Sequence, residues 1–195
     1  RIGIDDQDVE TGLDRFADAM VDAGVDALYV HARKAWLQGL SPKENRTIPP
    51  LDYDRVYRLR ARLAPLPVFI NGGIDTLELA QAQFEHTDGV MMGRAAYHNP
   101  MLLAEVDQRF FGATTEPVTL AAVMHAMADY ADRELAAGAR INNITRHMLG
   151  LAAGLPGARQ FRQIMSVDAC KPGADSAVML RALDAVNRHR LEQAS

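Results

Sequence analysis

The sequence has a single cysteine, Cys170, and a single tryptophan, Trp36. Nowhere does it string together the roughly 18 uncharged apolar residues that a membrane-crossing helix needs. One thiol excludes an internal disulfide and fits a reducing compartment, so a cytoplasmic location is expected. Residues 1–26 carry many acids and lack the apolar segment of a signal peptide. His86, His98, His125, His147 and His189 form no pair at metal-ligand spacing, so no metal and no membrane partner are expected.

What is present is ordinary globular chemistry, unevenly charged. Of 195 residues, 48% are apolar, enough to bury a core. Residues 1–116 hold 12 Lys and Arg against 18 Asp and Glu, whereas residues 117–195 hold 9 against 7. Between 140 and 162 stand Arg140, Arg146, Arg159 and Arg162 with no acid among them. A local basic surface on an acidic protein is the footprint of a nucleic-acid binder, with a plain solvated helix face as the alternative.

Residues 1–112 alternate short apolar runs with amphipathic stretches. Helical spacing covers 8–23, 52–63 and 76–84, and apolar runs stand at 27–30, 67–70 and 89–92. Strands apolar at every position are expected to be buried on both faces of a parallel sheet, so the repeat reads as α/β. Arg1-Ile2-Gly3 reads as the end of a further strand, giving about four βα units, half a closed (β/α)8 barrel. From Pro117 the texture is helical over 117–137, 141–153, 157–167 and 175–190. The expectation is a partial barrel over 1–112, a linker at 113–116 and an all-α bundle over 117–195.

The strand ends carry the chemistry, as the C-terminal mouth of an α/β barrel does. Asn71-Gly72-Gly73-Ile74 joins a buried strand to a helix, and adjacent glycines let backbone N–H groups approach an anion. Gly93-Arg94 repeats the pattern one strand later, with a guanidinium able to fork onto phosphate oxygens. The pair points to phosphate binding over plain turn chemistry. His31 ends the preceding strand, as a ligand contact or a satisfied core histidine. The long stretch 33–50 holds Trp36 and four basic residues against one acid. Its apolar Trp36, Leu37 and Leu40 argue for an ordered lid facing a polyanion, or for an insertion packed on the rim.

Three blocks then resemble the A subfamily of the tRNA-dihydrouridine synthases: His31-Ala32-Arg33-Lys34-Ala35-Trp36-Leu37, Gly39 through Arg46, and Pro49 through Tyr53. So do Ile70–Ile74, Asp88–Arg94, Ile144–Leu151 and Pro156–Arg162. The resemblance implies the C-terminal half of a TIM barrel followed by a helical RNA-contacting domain, with FMN as cofactor and NADPH as reductant. It implies that His31, Asn71, Gly72, Gly73, Gly93 and Arg94 contact FMN, and that Lys43, Arg46, Arg159 and Arg162 contact tRNA. The family's general-acid cysteine has no match here. Cys170 is expected to be a buried or incidental thiol, no catalytic residue is assigned, and this piece alone is expected to be inactive. Open strand edges would favour self-association. A small-molecule FMN barrel such as a dihydroorotate dehydrogenase, or a non-catalytic RNA-binding module, are the rival readings.

Overall fold

The computed structural model describes residues 1–194 and resolves two compact units that divide between Gly93 and Arg94. The first holds α1 (Val9–Asp22), β1 (Leu28–His31), a 3₁₀ turn (Glu44–Arg46), α2 (Tyr53–Leu63), β2 (Val68–Asn71), α3 (Leu77–Gln83) and β3 (Gly89–Met91). Its three strands form a parallel sheet in chain order, with Val30 opposite Ile70 and Ile70 opposite Val90. Parallel neighbours need a crossover, and α2 and α3 supply it.

Each helix of this unit begins on a residue that can satisfy its orphan N–H groups. Asp8 accepts from Thr11 N at 2.9 Å, Asp52 from Arg55 N at 2.9 Å, and Thr76 Oγ1 from Leu79 N at 3.1 Å. Leu13, Ala17, Val56, Leu59 and Leu77 turn inward and are buried together with Val30, Val68 and Ile70 of the sheet. Arg55 is 1% exposed. It donates to the Val9 and Glu10 carbonyls and reaches Asp14 Oδ1 at 2.6 Å, which fastens α2 to α1.

Burial on both faces does not hold for this sheet. Tyr29 is 64% exposed and Met91 47%, and Tyr29 stacks on Phe69 with centroids 4.7 Å apart. The period-2 alternation of a strand sends Val30, Val68 and Ile70 inward and these side chains outward. Residues 1–3 are not assigned to a strand: Ile2 N donates to the Arg33 carbonyl and Gly3 O accepts from Ala35 N, and the one bridge beside them is Ile4 with Ala35.

Among the described residues the second unit is helical throughout. It runs α4 (Arg94–His98), a 3₁₀ turn (Pro100–Glu105), α5 (Val106–Phe111), α6 (Leu120–Ala136), α7 (Ile141–Thr145), α8 (Ala158–Ser166), a 3₁₀ turn (Asp168–Cys170) and α9 (Ala177–Ala194). Met124, Phe161, Met165, Met179 and Val186 are buried in one core drawn from α6, α8 and α9. The compact division therefore falls earlier than 113–116, because the helices over 94–111 belong with this unit. The helix expected over 141–153 stops at Thr145, and turns carry the chain on to Gly157. Gly150 packs so closely on the His98 carbonyl that a Cβ would lie 2.3 Å from its oxygen, and Gly154 and Gly157 take left-handed φ of 77° and 82°. Continuous α-helix cannot meet those demands.

Candidate functional site

Parallel register brings His31, Asn71 and Met91 side by side at the C-terminal edge of the sheet. Asn71 Nδ2 donates to the Met91 carbonyl at 2.6 Å, so one amide hydrogen ties β2 to β3. Its Oδ1 and second hydrogen face other needs. The chain then turns through Gly72 and Gly73 with φ of 122° and 69°, a conformation that is costly for any other residue. Space demands glycine as well. A Cβ on Gly72 would meet the His31 ring at 3.2 Å, and one on Gly73 would meet Leu51 at 2.7 Å.

Tyr53 was missed by sequence reading, since a tyrosine at a helix start carries no signal of its own. Its hydroxyl donates to the Gly72 carbonyl at 2.6 Å and fixes the turn from below. Burial, with the Tyr57 phenol as the next cause, raises the Tyr53 pKa, so the phenol stays a donor. The N–H groups of Gly72 and Gly73 make no hydrogen bond among the described residues. Two backbone donors on a left-handed turn beside an imidazole form an anion-binding concavity. Gly93 lies just beyond β3 with open space around its Cα, and Arg94 opens α4 in the second unit. Of the six expected cofactor contacts, five lie in the first unit: His31, Asn71, Gly72 and Gly73 at the ends of β1 and β2, and Gly93 two residues beyond β3.

Residues 33–50 are ordered, and polar pinning orders them more than the expected apolar contacts do. Leu37 is 62% exposed. Asn45 and Trp36 exchange two hydrogen bonds, Trp36 N to Asn45 Oδ1 and Asn45 Nδ2 to Trp36 O, each 2.7 Å. Ser41 and Glu44 make a capping box: Ser41 N and Oγ both donate to Glu44 Oε2 at 2.8 and 2.6 Å, and Glu44 N donates back to Ser41 Oγ at 3.3 Å. Arg33 donates to the Pro49 carbonyl and Asp52 N to the Ala32 carbonyl, closing the loop at its base. The result is a compact Ω-type loop. Lys43 and Arg46 bracket its 3₁₀ turn, exposed, with Arg46 N donating to Lys43 O at 3.1 Å. Burial lowers the Arg1 guanidinium, and the charges of Arg33 and Arg46 lower it further, which marks a basic cluster at this edge.

In the helical unit Arg159 and Arg162 are exposed on α8, three residues apart and thus on neighbouring positions of one face. Neither has a carboxylate within ion-pair distance among the described residues. Cys170 is exposed rather than buried, and its Sγ donates to the Ser166 carbonyl at 3.1 Å. No described His, Cys, Asp or Glu cluster could hold a metal ion, and no described helix is long and apolar enough to cross a membrane.

The family model described as Dihydrouridine synthase (Dus) matches residues 1–187. A tRNA-dihydrouridine(20/20a) synthase of Shewanella oneidensis is 51% identical over 193 residues, covering 99% of this chain and 58% of that protein. Proteins of the same name from Salmonella typhimurium and Vibrio cholerae are 54% and 50% identical, over 95% and 94% of this chain and 56% of their own lengths. The chain thus spans a little over half the length of the curated relatives it matches. On these grounds the chain belongs to the dihydrouridine synthase family.

Proposed function

We propose that this chain is the cofactor-phosphate and RNA-holding part of a tRNA-dihydrouridine synthase that reduces uridines 20 and 20a. The observation that carries the reading is identity of 50–54% to synthases so named, running through both units. In this reading the first unit is the C-terminal portion of a TIM barrel, the second a helical tRNA-binding domain, and the enzyme is cytoplasmic.

The glycine turn has the donor set for a flavin mononucleotide: two uncommitted N–H groups, no side chain in the way, and an adjacent imidazole. When bound there and reduced by NADPH, FMN would supply the hydride for the uracil C5–C6 double bond, and a proton would complete the reduction. Gly72 and Gly73 N–H groups hold the phosphate, with Gly93 and Arg94 as the second phosphate-binding turn. His31, held against Gly72, orients the cofactor. Asn71 keeps the β2 and β3 ends in register and offers its Oδ1. Lys43 and Arg46 present the loop's positive charge to the tRNA, and Arg159 with Arg162 grips its backbone. A base inside an RNA stack is out of reach of such a site, so the target uridine must swing out. No residue of this chain is assigned the proton donation to the ring.

The test is mass spectrometry of tRNA from cells that lack the gene. Uridine should persist at positions 20 and 20a, and dihydrouridine should return on complementation. Unchanged dihydrouridine at both positions would sink the reading.

A further inference from the structure

Between α4 and the turns that follow α7 lies a concavity of about 260 Å³, lined by Tyr97, His98, Arg146, His147 and Arg162 among others. It lies wholly within the helical unit. No acid lines it, whereas the larger hollow between α8 and α9, about 600 Å³, sets Asp168 and Asp184 against Arg181 and Arg188. Its volume falls below the roughly 300–1,000 Å³ usual for an enclosed small-molecule site, so it suits a group presented from outside.

Its polar groups are already oriented. Arg146 Nε donates to His147 Nε2 at 3.0 Å. A ring nitrogen that accepts carries no proton, so the neutral imidazole holds its hydrogen on Nδ1. That hydrogen donates to Tyr97 Oη, 2.9 Å away. The phenol is therefore an acceptor inward, and its own hydrogen is left to donate outward from a half-exposed ring. The same bond fixes the Arg146 guanidinium and leaves its terminal nitrogens free of any carboxylate among the described residues. The floor is rigid where Gly150 meets the His98 carbonyl.

We propose that this concavity is a phosphodiester subsite for RNA, in which Arg146 and Arg162 supply the charge and Tyr97 donates to a phosphate or ribose oxygen. His147 is a positioning residue, because it sets both donors through its two ring nitrogens. The inference rests on the reading that the helical unit holds tRNA, and it assigns Tyr97, Arg146 and His147 roles that the α8 arginines do not supply.

The experiment titrates the chain with unmodified tRNA at several salt concentrations. Arg146→Gln should reduce the slope of log affinity against log salt by about 0.7 to 0.9, the value for one phosphate contact. Tyr97→Phe should leave the slope alone and weaken binding by about threefold to tenfold, as for one neutral hydrogen bond. In a His147→Phe background the Tyr97→Phe change should become nearly silent, since the hydroxyl is no longer held as an outward donor; a purely structural histidine would leave the two effects additive. Tyr97→Phe removes one exposed oxygen and guards against a folding artefact in the arginine variant. If either Arg146→Gln or Tyr97→Phe binds tRNA like the parent while Arg159→Ala weakens it, the subsite is overturned and the RNA reading stands. If the parent chain does not bind tRNA at all, both fall.

Discussion

Two sets of arginines in this molecule look alike in sequence and behave differently. Those of α2 are spent on the fold: Arg55 pairs with Glu10 and Asp14, Arg58 with Glu10, Arg60 with Asp88, and Arg62 with Asp14 and Asp18. Arg140, Arg146, Arg159 and Arg162 of the helical unit have no carboxylate at ion-pair distance among the described residues. Like charges gathered without counter-ions repel one another and gain nothing for folding. Solvent ions can balance them, and in the proposed reading the phosphates of tRNA do. What separates a structural arginine from a binding one is the availability of its charge, which counts of Lys and Arg do not report.

The sharpest way to break this comparison is to remove members of each set in turn. Arg55→Ala leaves Asp14 and the Val9 and Glu10 carbonyls without their buried partner. It should cost about 3 kcal/mol, the lower end for breaking a buried pair, because the acids themselves are partly solvated. Urea denaturation measures it, and a loss under about 1 kcal/mol would show that water replaces the guanidinium. The double variant Arg159→Ala with Arg162→Ala should do the reverse. Stability should stay within about 0.5 kcal/mol, while the salt slope of tRNA binding falls by roughly 1.4 to 1.8 for two lost contacts. An unchanged slope would return both residues to an ordinary solvated face.

The sequence showed much of this, and its misses have physical causes. Alternating apolar and amphipathic runs located β1, β2 and β3 to within a residue or two, because strand hydrophobicity and N-caps such as Asp8, Asp52 and Thr76 are local signals. The glycine pair at 72–73 was legible because left-handed backbone has few alternatives. Burial was not: Tyr29 and Met91 satisfy the apolar pattern and still face outward, since exposure depends on what packs above the sheet. The compact division falls at Gly93–Arg94, ahead of the expected linker, because α4 packs with the turns after α7, a contact that no local pattern reports. Tyr53, which braces the glycine turn, and Tyr97 with His147, 50 residues apart, meet only through tertiary structure.

A subtler test asks whether the loop's positive charge, like that of α8, depends on a scaffold. Asn45→Ala deletes both hydrogen bonds to Trp36 and should cost about 1 to 2 kcal/mol, less than Arg55→Ala because the loop can loosen without unfolding the unit. Trp36 is the only tryptophan, so its emission reports this loop directly. A red shift with little change in global melting is expected, and tRNA affinity should fall with Lys43 and Arg46 themselves intact. Emission identical to that of the parent would mean that the capping box and the contacts at the loop's base hold it without Asn45.

The smallest effect concerns Arg60, an exposed member of the paired set. Asp88 accepts from Arg60 Nη2 at 2.9 Å and from Val68 N at 2.9 Å, so it ties α2 to the start of β2. The Arg60 hydrogen bond, then that from Val68 N–H, holds its carboxyl below the usual range. A depressed folded value means that the unfolded chain takes up the proton first. The stabilisation is therefore complete above the ordinary carboxylate pKa of about 4 and is lost as pH falls through the folded value. Both side chains are open to solvent, so screening keeps the pair's contribution small. Asp88→Asn keeps an acceptor for Val68 N–H but loses the charge. It should lie below the parent in urea midpoint at pH 7 and converge on it as pH falls below about 4. Arg60→Gln should trace the same convergence. No gap at pH 7 in either variant would show that Asp88 acts through the Val68 hydrogen bond alone, and that even on α2 a visible ion pair can be idle.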